Sequence, residues 1–277
     1  MQINCKGKLI DLSHPKVMGI VNITPDSFYS GSRCEHESDI IEKVALHISE
    51  GATFIDIGAY STRPGCAEVS EEEELRRIEL AMRAINREFP DALVSVDTYR
   101  SKVAEYAVKE YGAAIINDIS GGVLDSNMFA TVAQCKVPYI LMHMVGTPQT
   151  MQQHCYYSNM MLEIVQYFAR QTEQLNKLGV NDIILDAGFG FSKNLDQNYE
   201  LLHNMDMLKV LNAPILVGVS RKSMVYKLLN TTPEESVNGT SVVNTLALCK
   251  GANILRVHDT KQAMEVVKIC EKAGFIS

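Results

Sequence analysis

The sequence predicts an α/β protein, a (β/α)8 TIM barrel forming a single domain over residues 1–277. Three observations predict it. Eight short apolar runs rich in Val, Ile and Leu are spread along the chain, amphipathic helical stretches lie between them, and the helix-to-strand junctions repeat one local pattern. That pattern is seen in "EGATFIDIG" (50–58), "YGAAIINDI" (111–119), "LGVNDIILDAG" (178–188) and "KGANILRVHD" (250–259). In each, a helical stretch stops at a glycine (Gly51, Gly112, Gly179, Gly251) and a β-branched run follows after a short link. Glycine suits the stop because it enters the left-handed conformation without a Cβ clash.

Taken in order, strands are expected at 17–21, 53–57, 93–97, 114–118, 138–142, 182–186, 214–219 and 254–257. Their unbroken apolar character is that of parallel strands covered on both faces. A helix is expected over 38–50, with Ile40, Ile41, Val44, Ala45 and Ile48 as its buried stripe. Ser70 followed by Glu73 reads as a capping box opening a helix over 71–89, and 159–179 is another long helix. A doubly wound open sheet is the alternative architecture.

Composition narrows the function classes. With 33 Asp+Glu against 26 Lys+Arg and a net charge of −7, and with no basic run, neither nucleic acid nor an anionic membrane is an expected partner. No apolar run approaches the roughly 20 residues that cross a bilayer, and the first residues lack a signal-peptide core, so a cytoplasmic location is expected. Seven cysteines, an odd number without C-x-x-C, read as free thiols rather than disulfides or a zinc site.

The polar residues carry the chemistry. In this architecture the site lies at the C-terminal ends of the strands. The expected strands end at or lead into Asn22, Asp56, Asp97, Asn117–Asp118, His143, Asp186, Ser220-Arg221-Lys222, and Arg256 with His258. Arg63, Lys222, Arg256 and His258, with backbone N–H groups of "AGFG" (187–190), suit an anion such as a phosphate. Asp97, Asn117 and Asp186 suit a flat heterocycle with several N–H donors, since each buried donor needs an acceptor. Two connections, 23–38 and 58–73, are long and rich in Gly, Pro, Ser and Thr, as binding loops are. "GFGF" (188–191) lacks the spacing of a dinucleotide-binding fingerprint.

These stretches resemble the dihydropteroate synthase family of pterin-binding barrels. The matching segments are "MGIVNITPDSF" (18–28), "GAYSTRPG" (58–65), "VSVDTYR" (94–100), "IINDISGG" (115–122), "LMHMVGTPQTMQ" (141–152), "DAGFGFSKN" (186–194), "VGVSRKSM" (217–224) and "GANILRVHD" (251–259). They run in order over nearly the whole chain. The resemblance implies a TIM barrel, usually a homodimer, that condenses 6-hydroxymethyl-7,8-dihydropterin diphosphate with 4-aminobenzoate. It implies that Asp97, Asn117, Ile119, Met142, Asp186, Phe191, Lys222 and Arg256 hold the pterin, with Arg256 stacked on its face. It assigns the diphosphate to Asn22, Arg63, Arg256 and His258, and Mg²⁺ to Asn22. It assigns 4-aminobenzoate to Phe28, Thr62, Pro64, Lys222 and Ser223, and makes Lys222, Arg63, Arg256 and His258 the catalytic set. Three positions depart from the family pattern. Ser30 stands where an acidic residue is common, Ala187 replaces a proline, and "DTYR" (97–100) stands where lysine is frequent. A methyltetrahydrofolate-dependent methyltransferase and a pterin-binding protein without catalysis are the alternative readings. The former would need no diphosphate site, which "STRPG" and "SRKS" argue against.

Overall fold

A computed structural model describes residues 1–23, 36–60 and 69–276. An antiparallel hairpin comes first, β1 (Gln2–Cys5) and β2 (Lys8–Asp11), turned by Lys6 and Gly7, both with positive φ. Eight strands follow: β3 (Lys16–Asn22), β4 (Phe54–Gly58), β5 (Leu93–Asp97), β6 (Ile115–Asp118), β7 (Tyr139–Met142), β8 (Ile183–Asp186), β9 (Ile215–Val217) and β10 (Ile254–Val257). The helices are α1 (Glu37–Ser49), α2 (Glu71–Glu88), α3 (Ser101–Tyr111), α4 (Met128–Cys135), α5 (Met160–Lys177), α6 (Leu195–Asn204), α7 (Ser223–Tyr226), α8 (Val237–Cys249) and α9 (Thr260–Lys272). β3 to β10 pair in parallel in chain order, and β10 returns to β3 to close the barrel. Every strand expected from the sequence is present, and the closed ring excludes the open sheet.

Side chains alternate across each strand, so the barrel has two apolar layers. Val17, Ile55, Val94, Ile116, Leu141, Leu185, Val217 and Leu255 face outward into the layer shared with the helices. Met18, Phe54, Leu93, Ile115, Ile140, Ile184, Leu216 and Ile254 face inward at the strand starts. Ile3, Cys5, Ile10 and Leu12 of the hairpin region pack onto that inner cluster and plug the N-terminal mouth. The hairpin was not expected, because its strands are only four residues each and alternate polar with apolar.

The glycine stops hold: φ is +99° at Gly51, +65° at Gly112, +87° at Gly179 and +102° at Gly251. The α1 stripe needs correction. Its buried residues are Ile40, Val44 and His47, while Ile48 is exposed. A 3.6-residue period carries the buried line from Val44 to His47, and Gly19 leaves the room: a Cβ there would lie 2.5 Å from the His47 ring. His47 meets Thr260 Oγ1 at 2.8 Å and the Ile20 carbonyl at 3.1 Å. Burial pushes its pKa down to about 4. The capping box on α2 is half present: Ser70 accepts from the Glu73 N–H, but the Glu73 carboxylate is taken by Arg76 and Arg77.

Candidate active site

The C-terminal ends of the strands carry a connected polar cluster. Asp56, fully buried at the middle of β4, accepts from Arg256 Nε at 2.6 Å and from Asn117 Nδ2 at 3.2 Å. Arg256 Nη2 also reaches Asp97 Oδ2 at 2.8 Å, and Asp97 Oδ1 accepts from the Tyr60 hydroxyl at 3.0 Å. The guanidinium thereby joins β10 to β4 and β5, and Asn117 adds β6 to the network through Asp56. Among the described residues Arg256 Nη1 takes no partner, so Nη1 and the flat face can be offered to a ligand. Asn117 gives one Nδ2 hydrogen to Asp56, and its amide oxygen can accept from a ligand.

Asp186 ends β8 and is buried, with Oδ1 accepting from the Gly188 N–H at 2.8 Å. Each carboxylate oxygen accepts more than one bond, so Asp186 still presents a two-point acceptor. Burial raises its pKa, opposed by the nearby Lys222. Asp97 is pushed up to about 7 by burial, with Arg256 opposing and Asp56 reinforcing the shift.

Lys222 and Arg221 have opposite fates. Lys222 extends over the Phe191 ring, 4.8 Å from its centroid, and donates to the Phe189 carbonyl at 2.6 Å. Burial lowers its pKa to about 8. Arg221 instead folds back in the left-handed region (φ +54°) and forks onto Asp259 at 2.7 and 2.8 Å. It also donates to the carbonyls of Pro233 and Glu234. The fork ties the turn after β9 to the end of β10, and the carbonyl bonds tie it to the segment before α8. Two adjacent cations therefore divide the work, one holding the loop and one facing the cavity.

The apolar wall gathers Ile119, Met142, Met144 and Met151, with Tyr60 and Phe191 packed against them. Ser223 opens α7 beside Lys222. Asn22 ends β3, and its Oδ1 lies 3.8 Å from the point a Cβ on Gly58 would occupy, with Asp97 Cβ 3.6 Å from that point. The His258 N–H donates to Ser220 Oγ at 3.2 Å. Burial, reinforced by Arg256 and Arg221, holds its imidazole down to about 3. A neutral imidazole of this kind carries one ring N–H, which it could still donate to an anion. Phe28, Thr62, Arg63 and Pro64, with Ser30, lie outside the described residues.

Two further expectations are corrected. The "AGFG" amides of Gly188 and Gly190 are not open to a phosphate: the first donates to Asp186 and the second to Asn198 Oδ1 at 2.6 Å. Asp118 and His143, although strand-end residues, serve loops. Asp118 accepts from Ser120, Gly122 and the Tyr139 hydroxyl.

Sequence reasoning missed Lys193. Its Nζ is buried and contacts His143 Nδ1 at 3.2 Å, the Gly188 carbonyl at 3.1 Å and the Phe191 carbonyl at 3.0 Å. It therefore joins the loop after β7 to the glycine-rich turn after β8. Burial lowers its pKa to about 7, and burial together with its charge lowers His143 to about 2. A lysine between Ser192 and Asn194 carries no signal of burial, so only the tertiary structure reveals it.

Among the described residues no three His, Cys, Asp or Glu side chains form a metal-sized group. Among the described residues the donor at Asn22 is its amide oxygen, which fits Mg²⁺ delivered with phosphate and water oxygens rather than a protein cage.

The family described as pterin binding enzyme matches residues 18–258. The chain belongs to the dihydropteroate synthase family of pterin-binding enzymes. It is 42% identical to the dihydropteroate synthase of Escherichia coli, over 98% of this chain and 96% of that one. It is 42% identical to that of a Synechocystis strain, over 92% and 89%. Among solved structures, the Yersinia pestis dihydropteroate synthase in a sulfonamide drug complex superposes with a TM-score of 0.94 at 41% identity, covering 99% of both chains. The Thermus thermophilus enzyme in complex with 4-aminobenzoate gives 0.85 at 32%, covering 98% of this chain and 99% of that one.

Proposed function

We propose that the chain condenses 6-hydroxymethyl-7,8-dihydropterin diphosphate with 4-aminobenzoate, giving 7,8-dihydropteroate and diphosphate. The observation that carries the reading is the meeting of Asp97, Asn117 and Asp186 with Lys222 and Arg256 at one barrel mouth, beside an apolar wall. Asp186 accepts from the 2-amino group and N3–H of the pterin, while Asp97 and the Asn117 oxygen take the other edge. Lys222 donates to the O4/N5 side, and the ring lies between the Met142 wall and the Arg256 face.

Breaking the C–O bond leaves positive charge on a CH₂ that the electron-rich pterin spreads over its ring, so substitution proceeds in an S_N1-like manner. Arg63, the free edge of Arg256 and neutral His258 donate to the departing diphosphate as its charge grows. Asn22 is the residue that would hold Mg²⁺, which supplies charge neutralisation at the leaving group when bound. The aromatic amine then attacks carbon, with Phe28, Thr62, Pro64, Lys222 and Ser223 around it, and its surplus N–H proton is lost to solvent or the departing diphosphate. No side-chain nucleophile is required.

We also read the chain as one domain that works in the cytoplasm as a homodimer. No helix among the described residues is long and apolar enough to cross a membrane. Leu228, Leu229, Val242 and Leu246 are all exposed around α7 and α8, an apolar surface that suits a second copy. Sedimentation at micromolar concentration tests the dimer.

The test of the function is turnover of the diphosphate substrate with 4-aminobenzoate, with stoichiometric dihydropteroate and diphosphate expected. Pterin binding without product would favour the non-catalytic alternative, and methyl transfer from methyltetrahydrofolate the other. Chelation should abolish turnover and leave the melting temperature of the ligand-free chain unmoved; a large drop would mean a structural metal.

A further inference from the structure

We propose that Tyr60 is a positioning residue of this site: its hydroxyl sets the plane of the Asp97 carboxylate, and its ring closes one wall of the pterin pocket. The inference rests on the pterin reading given above and adds a residue to it.

Tyr60 stands two residues beyond the end of β4 and is half-buried. Its hydroxyl donates to Asp97 Oδ1 at 3.0 Å, while Arg256 holds Asp97 Oδ2 at 2.8 Å. The torsion of an Asp carboxylate is broad and soft, so a single donor leaves its plane free to swing. Two donors on the two oxygens, one from the loop after β4 and one from β10, remove that freedom. Each oxygen retains a lone pair for a ligand N–H. The acceptor is thus oriented before the ligand arrives, which spares the ordering cost on binding.

The ring has its own role. It packs against the Ile119 and Met142 cluster, as Phe191 does. Tyr99 meets it edge-on at 5.2 Å and 89°, which fixes its tilt. A phenylalanine would fill the same wall, so the hydroxyl is the part that reaches beyond packing.

The charges around Asp97 make the hydroxyl readable by pH. Arg256 from β10 and Lys222 after β9 favour the ionised carboxylate, and Asp56 from β4 and Glu74 from α2 oppose it. The Tyr60 hydrogen bond favours ionisation, and the carboxyl still titrates at about 7. Removing the hydroxyl moves that titration upward, so less of Asp97 is ionised near neutrality.

The experiment compares Tyr60→Phe with the wild type by titrating 6-hydroxymethyl-7,8-dihydropterin diphosphate at about pH 9 and about pH 6.5. The variant should bind about three-fold more weakly at the higher pH, from lost orientation, and about ten-fold more weakly at the lower, from lost ionisation. Taking the ratio of the two proteins cancels titration of the ligand. An unchanged melting curve shows that the fold is intact. Equal affinities at both pH values overturn the proposal. So does a ratio that ignores pH, because a loosened wall would weaken binding equally everywhere. A wild type that fails to bind this ligand at any pH brings down the pterin reading itself, a different result from a wild type that binds and a variant that matches it.

Discussion

The two ends of the barrel are made from the same strands and obey opposite rules. At the N-terminal end the inward positions are Met18, Phe54, Leu93, Ile115, Ile140, Ile184, Leu216 and Ile254, sealed by the hairpin. At the C-terminal end the strands and the turns that follow them supply Asp56, Asp97, Asn117, Asp186, Lys222 and Arg256. The first set is a core that gains by excluding water. The second confines three carboxylates and two cations where water is scarce, so burial raises Asp97 and Asp186 and lowers Lys222. A core optimised for stability would not hold such groups. Their presence there is what the proposed binding end accounts for, and the apolar end supplies stability.

The comparison can be broken by moving one end and watching the other. Phe54→Ala should have the largest effect. Phe54 is fully buried in the inner cluster, and its truncation should cost about 3–5 kcal/mol of stability. Chemical denaturation reads the loss, while dihydropterin diphosphate affinity, measured where the variant is folded, should stay near wild type. Arg221→Lys asks whether a residue beside the site can belong to the structural half. Lysine cannot reproduce the fork on Asp259 or the two carbonyl contacts, so a loss of about 1–3 kcal/mol of stability is expected. Pterin affinity should change little, because in the proposed pose Lys222, not Arg221, faces the ligand. A variant with normal stability and poor pterin binding would move Arg221 into the site.

The smallest effect is a pH dependence. In the proposed pose the pterin edge needs Asp97 ionised, while burial pushes its pKa up to about 7. Affinity should therefore rise as pH increases through that value. In the ligand-free fold the sign is reversed. The raised pKa means that Asp97 favours folding below its unfolded pKa of about 4, and that contribution is lost as pH rises through about 7. Calorimetric titration across this range checks the binding side, and Asp97→Asn should flatten its profile.

Much of the barrel was legible because doubly covered parallel strands leave unbroken apolar runs, and because left-handed helix stops select glycine. Tyr60, Lys193 and the fate of Arg221 were not. Tyr60 lies in the connection after β4 and looks like any loop aromatic. Lys193 looks solvated until its amine is found among two carbonyls and a histidine. Arg221 and Lys222 are indistinguishable as a pair of cations, and only the positive φ of Arg221 turns one away from the other. The hairpin had a readable cue in Lys6-Gly7, but strands of four residues carry too little pattern to weigh against it. Local pattern reports what an element is, whereas these roles depend on which distant residues meet.

The separation of the two ends is tested most directly by Asp186→Asn, titrated calorimetrically with dihydropterin diphosphate and melted in parallel without ligand. The substitution places an amide, half donor, against the pterin N–H groups and removes one charge-assisted bond. Affinity should fall by about 2–4 kcal/mol. The melting temperature should hold or rise, because a carboxylate whose pKa burial has raised no longer has to be kept in the cavity. Unchanged affinity with a lowered melting temperature would contradict the account, showing that Asp186 belongs to the scaffold and not to the site.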